Sequence, residues 1–270
     1  MTMPSGSLAP RRSIRPGGRI VWIRRIGFFL GLVALWEALA LLRLWPTYLF
    51  PTPGQVLESL ARGFRDGTFL IGIRGSLGRL IEGYLISLVV GLTLGLLMAR
   101  LRWVKDTLGL VVMGMQALPS ICWLPLALLW FGLNPSAILF VVVMGSVLSI
   151  AQATEDGVRN TPPIYLRAAS NLGARGWQLY PRVILPSALP SIITGMKLGW
   201  SFAWRSLMAG ELLYTLPGLG ALLTMGRELN DMSRVVAVML VIITVGLLTD
   251  QLLFGQVERR VRDRWGLAGG

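Results

Sequence analysis

Few side chains in this sequence are suited to covalent or proton chemistry. There is no histidine and a single cysteine, Cys122, which excludes a Cys/His metal site, a Ser-His-Asp triad and an intrachain disulfide. The two lysines follow Val104 and Met196 as Lys105 and Lys197, so a Gly-Lys-Ser/Thr phosphate loop is absent and any nucleotide chemistry belongs to another polypeptide. What remains is charge and hydrogen-bonding capacity placed inside apolar runs. Gln116, Ser120 and Trp123 follow at i, i+4 and i+7, with Pro119 and Pro125 interrupting the run beside them. Lys197, Trp200, Trp204, Met208 and Glu211 step by three or four residues, with Arg205 off the centre of that stripe. Such groups bind or guide a polar solute, or they hold helices together.

The elements that position them are membrane spans. Of 270 residues 54% are hydrophobic and 14% charged, with a mean hydropathy of +0.64; a soluble domain carries about 25% charged residues. About twenty apolar residues cross a bilayer, and six stretches approach that length: 21–44, 75–99, 107–131, 136–153, 189–208 and 235–254. They predict an all-α integral membrane protein of about six transmembrane helices. The net charge of +13 does not point to nucleic acid, because the arginines are separated by apolar spans instead of sharing one soluble face.

Arginine and lysine set the orientation. One side collects Arg11, Arg12, Arg15, Arg19, Arg24 and Arg25, then Arg100, Arg102 and Lys105, then Arg159, Arg167, Arg175 and Arg182, and last Arg259, Arg260, Arg262 and Arg264; the other has Arg62, Arg65, Arg74, Arg227 and Arg234. Both termini are therefore expected in the cytoplasm, with residues 1–20 a disordered tail, 21–256 the transmembrane domain and 257–270 a second tail. A signal peptide fits poorly, since the first apolar run is too long and lacks a cleavage site. Outside, 56–64 reads as an amphipathic surface run, and Leu216-Pro-Gly-Leu-Gly220 reads as a turn ahead of a short helix.

A charge at the bilayer centre costs about 2.5 to 3.5 kcal/mol on insertion scales, so it seldom faces lipid. Gln116, Ser120, Trp123, Trp200, Trp204, Arg205 and Met208 are thus candidate pathway residues. Packing is the competing explanation: Gln116 and Ser120 bonded to a neighbouring helix, and Arg205 paired with Glu211 or Glu37. Glu37 and Glu82 are further candidate partners for arginine. Gly27 with Gly31, and Gly91 with Gly95, have the spacing that permits close helix approach.

The long cytoplasmic connection, about 154–188, carries the most detail. After Asn160-Thr-Pro-Pro163 come Tyr165-Leu-Arg-Ala-Ala-Ser-Asn-Leu-Gly-Ala174 and Arg-Gly-Trp-Gln-Leu-Tyr-Pro-Arg-Val-Ile-Leu-Pro186. The prolines suit a turn and a helix start, and Leu166, Ala169 and Leu172 or Gly173 fall on one side of a short helix. These residues resemble the loop of permeases in binding-protein-dependent ABC importers: Glu-Ala-Ala, three residues, Gly, nine residues, Ile-x-Leu-Pro. Ala168, Ala169, Gly173, Val183, Leu185 and Pro186 match at full spacing, with Arg167 in place of the glutamate and Val183 in place of the isoleucine.

Phe50-Pro-Thr-Pro-Gly-Gln-Val56, Ser76-Leu-Gly-Arg-Leu80, Gly91 to Met98, Trp123-Leu-Pro-Leu126, Leu129-Trp-Phe-Gly132, Glu211-Leu-Leu with Gly218-Leu-Gly220, and Arg264-Trp265 are similar to the nitrate/sulfonate/taurine (bicarbonate) permease group. The resemblance implies a type I importer fold in a bacterial inner membrane. It also implies a second permease subunit, expected to be a copy of this chain, two ATPase subunits that bind the ATP and Mg, and an extracytoplasmic substrate-binding protein. No cofactor is expected in this chain. Tyr165, Leu166, Arg167, Ala168, Ala169, Leu172, Gly173, Ala174, Leu185 and Pro186 would then form the coupling surface, with the helix at 165–172 seated in a cleft of the ATPase. The competing functions are a stand-alone secondary carrier, for which no clear repeat or midplane ion site is visible, and a membrane enzyme, for which no cluster of nucleophile, base and metal ligand is visible.

Overall fold

A computed structural model describes residues 18–214 and 216–257, and among these every regular element is helical. The expected tails lie outside the described residues, apart from 18–20, which open the first helix, and Val257. Arg264-Trp265 also lies outside them. In order, the helices are α1 (Gly18–Leu41), α2 (Pro53–Arg65), α3 (Thr68–Arg100), α4 (Arg102–Val104), α5 (Leu110–Gln116), α6 (Leu124–Phe131), α7 (Pro135–Arg159), α8 (Pro163–Asn171), α9 (Leu185–Glu211), α10 (Leu219–Glu228) and α11 (Met232–Leu253). A π-turn, Lys105–Gly109, joins α4 to α5, and a 3-10 turn, Ser120–Trp123, opens into α6.

Small residues decide how closely α3 and α7 pack. A Cβ on Gly83 would meet Val142, one on Gly91 would meet Ile150 at 2.9 Å, and one on Gly95 would meet Thr154. Partner numbers rise together, so α3 and α7 run parallel. The expected role of Gly91 and Gly95 in close helix approach is visible here, and Ser146 Oγ donates to Ser87 Oγ at 2.7 Å across the same seam. Without a hydrophobic drive between helices in lipid, such close backbone approach and interhelical bonding supply the association. Gly27 and Gly31 on α1 have nothing within 4 Å of a would-be Cβ.

Against α7, helix α9 runs antiparallel: Gly210 faces Ile138, Gly199 faces Ile150, and Gly157 faces Ser191. Helix α11 is antiparallel to α9 in turn, with Gly246 against Trp204 and Phe254 near Trp200. Because α3 and α7 are parallel, the segment between them must carry the chain back across the bilayer. It does so as a bent pair, Arg102–Gln116 and Ser120–Phe131, at 103°.

Of the about six expected spans, five are accounted for as crossings among the described residues. Four helices (α3, α7, α9 and α11) are long and apolar enough to cross, and the bent pair makes a fifth crossing. The third expected span, 107–131, is not one rod, because Pro119 has no N–H to donate and its ring obstructs the preceding turn. The first expected span is helical as α1, but every 18-residue window of it holds three charges from Arg19, Arg24, Arg25 and Glu37, so composition alone does not mark it as a crossing.

Outside, α2 is an amphipathic surface helix with a capping box in which Thr52 and Gln55 bond each other's backbone N–H, and it buries Val56, Ser59 and Gly63. It packs on α11 and the start of α3. The turn at 216–218 leads into α10, as the sequence predicts.

Candidate functional site

The cytoplasmic connection folds as the proline and glycine signals require. Pro163 occupies the first turn of α8, where its missing N–H costs nothing. At the other end Gly173 has φ +88°. Its N–H donates to Ser170 O at 3.0 Å, and Ala174 N–H donates to Ala169 O at 3.0 Å, the paired bonds of a Schellman termination. Nothing in this chain lies within 4 Å of a Cβ placed on Gly173, so the backbone angle requires glycine there independently of space. The helix is tied back to α9 by Thr161 and Ser187, whose hydroxyls lie 3.0 Å apart.

No residue of α8 is buried. Leu166 and Ala169 turn toward the subunit and are half-buried, whereas Ile164 (68% exposed), Tyr165, Arg167, Ala168 and Leu172 (89%) face outward. The open apolar stripe is therefore Ile164–Ala168–Leu172 with Tyr165 beside it, rotated from the Leu166–Ala169–Leu172 side that spacing suggested. Ala174 is half-buried beyond the helix end, and Leu185 and Pro186 begin α9. Arg100, at the cytoplasmic end of α3, stacks its guanidinium 3.8 Å from the Trp177 ring centre and 5.6 Å from that of Tyr180. This contact links the connection after α8 to α3. Arg100→Ala is expected to lower uptake several-fold while Arg100→Lys, which keeps charge but not the planar stack, falls between; vesicle uptake normalised to ATP hydrolysed checks the order.

A second constellation was missed by sequence reasoning. Glu211, 1% exposed, accepts from Arg79 Nη2 at 2.5 Å and Nε at 3.1 Å, from Ser76 Oγ at 2.7 Å, and from Gly220 N–H at 3.0 Å. Arg79 also donates to Pro217 O at 2.8 Å, and Ser76 Oγ accepts from Leu219 N–H at 2.9 Å. The buried carboxylate thus meets four donors from two segments, α3 and the start of α10, which is what a charge in such a place needs. Arg205, whose packing alternative was a pair with Glu211 or Glu37, is elsewhere, exposed, 5.2 Å from the Phe202 ring. Among the described residues no ion pair joins Glu37 or Glu82 to an arginine. The available signal was Ser76 and Arg79 at i, i+3 on one face, in a motif already notable for its resemblance. At the cytoplasmic side Lys105 and Arg159 both pair with Glu155, at 2.5 and 3.1 Å, fastening the bent span to α7.

The pathway candidates separate into two groups. Gln116 and Ser120 line a cleft of about 200 Å³ with Gly145, Ser149 and Phe202, at the break of the bent span. Gln116 Nε2 lies 3.5 Å from Ser149 Oγ, so it touches a neighbouring helix and the cleft together. The three positions of the i, i+4, i+7 series do not form one helical stripe, because the helix ends between Gln116 and Ser120; Trp123 instead meets Phe140 edge-on at 6.4 Å. Trp200 is buried against Tyr84, ring centres 5.0 Å apart, and Trp204 and Met208 are half-buried against the same core. Arg205 stands on the open face of α9. No cluster of three metal-ligating residues occurs among the described residues.

A bundle of polytopic helices, with charge used for fastening and an exposed helix on the cytoplasmic side, defines a membrane-embedded transport subunit. The chain belongs to the family of binding-protein-dependent transport system inner membrane components, whose family model matches residues 91–263. It is a multi-pass inner-membrane permease subunit of an ABC importer and not an enzyme, and the stand-alone carrier is not supported. It is 32% identical over 224 residues to a putative ABC transporter permease of Methanocaldococcus jannaschii, covering 81% of this chain and 84% of that one. It is 30% identical over 230 residues to the taurine transport system permease of Escherichia coli K12, covering 83% and 84%, and 30% identical over 250 residues to that organism's putative aliphatic sulfonates transport permease, covering 92% and 94%. Among solved structures, an inward-facing MetNI methionine ABC transporter matches with a TM-score of 0.62 at 18% identity, covering 72% of this chain and 96% of that chain; this likeness speaks to the fold.

Proposed function

We propose that two copies of this chain form the pathway of an importer for a small anionic or zwitterionic solute of the sulfonate, taurine or bicarbonate kind. An extracytoplasmic binding protein delivers the solute, and separate ATPase subunits that bind ATP and Mg drive the transport. The observation that carries this reading is α8: an exposed apolar stripe held at both ends between two core helices, on the side that collects the arginines. ATP-driven closure of the ATPase pair would move α8 together with α7 and α9, and so exchange inward-facing and outward-facing arrangements through differential contacts. Co-purification tests it: the chain is expected to carry an ATPase through detergent extraction, and Leu172→Asp is expected to release it.

The pathway face is assigned to Gln116, Ser120 and Arg205. The first two line the cleft at the broken span, a setting where transporters place polar groups, and Arg205 offers an exposed cation to an anion. Trp123, Trp200, Trp204 and Met208 support that face by packing behind it. Arg205→Ala is expected to lower uptake about tenfold, the factor equivalent to one ~1.4 kcal/mol contact, with normal recovery of the assembled complex; failure of assembly would assign Arg205 a structural role.

A further inference from the structure

We infer that the pathway is built for a solute with a sulfonate headgroup, three oxygens on one centre, and that Ser201 on α9 distinguishes it from a planar carboxylate or bicarbonate. The inference rests on the pathway reading above. Along α9, Ser191, Thr194, Leu198, Ser201 and Arg205 step by three or four residues and so share one face. Ser191, Thr194, Leu198 and Arg205 are exposed, and Ser201 is half-buried. From Ser191 to Arg205 this face runs about 21 Å at 1.5 Å per residue, and Leu198 is the only apolar residue of the five. A span that shows hydroxyls and a guanidinium over such a length faces water or solute and not lipid.

Hydroxyls inside a helix commonly satisfy themselves by donating to the carbonyl one turn back. Thr194 and Ser206 on α9 do so at 3.0 and 2.8 Å, as do Ser146 and Thr154 on α7. Ser201 and Ser120 have no hydrogen-bond partner among the described residues, so each keeps a donor for a solute. The two stand beside one cleft: Ser120 and Gln116 line it together with Phe202, the neighbour of Ser201 on α9. The Arg205 guanidinium carbon lies 5.2 Å from the ring centre of that same Phe202. No acidic side chain is among the described residues that line the cleft. One cation and several neutral donors therefore face whatever enters, which suits an anion. A guanidinium fork meets two oxygens in its own plane, and that suffices for a planar carboxylate. The third oxygen of a sulfonate leaves the plane and needs a donor from another direction. Ser201, one turn nearer the cytoplasm on the same face as Arg205, supplies it.

Protection of an introduced thiol reads the site without the binding protein and its own selectivity. In inside-out vesicles that hold the complex with its ATPase, Ala117→Cys in the Cys122→Ser background places the only cysteine of this chain in the cleft. The probes are ethanesulfonate and propionate, which share an ethyl group and a single negative charge and differ in the headgroup. Ethanesulfonate is expected to slow modification by uncharged N-ethylmaleimide at about tenfold lower concentration than propionate, the factor for one further hydrogen bond to a charged group. Ser201→Ala should bring the two anions within about twofold of each other. Ser201→Thr, which keeps the hydroxyl, should retain the preference, and Arg205→Ala should weaken protection by both together. Equal protection by the two anions with Ser201 in place would overturn the proposal, as would a preference that survives in Ser201→Ala. Protection by neither anion would overturn the pathway assignment of the cleft and this proposal with it, whereas equal protection leaves that assignment standing.

Discussion

Arg79→Ala is expected to cost about 3 kcal/mol of stability, the lower end of the range for stranding a buried charge because Arg79 keeps some exposure. Glu211 would remain 1% exposed with Ser76 and Gly220 as donors and no counter-charge. The turn at 217–220 would lose its tie to α3, and the yield of assembled complex should fall with the apparent melting midpoint. The double variant Arg79→Ala with Glu211→Gln should recover most of the loss, since glutamine keeps an acceptor for Gly220 N–H and Ser76 while no charge is left behind. Thermal unfolding of the purified complex, single variants against the double, measures this directly. Equal destabilisation of the double and of Arg79→Ala would show that the hydrogen bonds of Arg79, and not charge neutralisation, hold the turn.

The second large effect is expected at Gly173, and it separates backbone from space. Valine at φ +88° meets the steric penalty of the left-handed region, of order 1–2 kcal/mol and larger for a branched side chain. The termination of α8 would open and Leu172 would leave its place. Asparagine tolerates that region. Gly173→Val should therefore lose about tenfold or more in uptake, one factor of ten per ~1.4 kcal/mol, while its ATPase activity no longer responds to substrate. Gly173→Asn should retain most of both. If asparagine fails as badly as valine, the ATPase surface itself occupies the space beside Gly173, because this chain leaves it open.

Much of this was legible in the sequence, for physical reasons that can be named. Apolar runs located α3, α7, α9 and α11 because charge-free length is what a bilayer selects. Prolines at 162 and 163 and the glycine at 173 marked the ends of α8 because they answer to local backbone rules. The bend at Pro119 was visible as an interruption, but its 103° angle depends on the parallel packing of α3 and α7, which no local pattern states. Helix α7 continues to Arg159 through Thr154, Glu155 and Asp156, although those polar residues suggested that the loop had begun; Lys105 and Arg159 satisfy Glu155 across the fold. The Glu211 partner was hidden for the same reason, with Arg205 to Glu211 or Glu37 standing only as the packing alternative. Arg205 was near in sequence, whereas Arg79 is 132 positions away and is brought in by tertiary packing alone. The open face of α8 was not legible either, because spacing groups Leu166, Ala169 and Leu172 or Gly173 on one side but does not say which side the subunit covers.

Everything in the transport account depends on α8 meeting the ATPase from the cytoplasm. Cross-linking from Leu172→Cys, in a Cys122→Ser background and in inner-membrane vesicles that still transport, tests it most directly. The account predicts an adduct with the ATPase whose yield changes when ATP is added, and no labelling by an impermeant thiol reagent applied from outside intact cells. Labelling from outside, or active vesicles in which Leu172→Cys finds no partner, would contradict it.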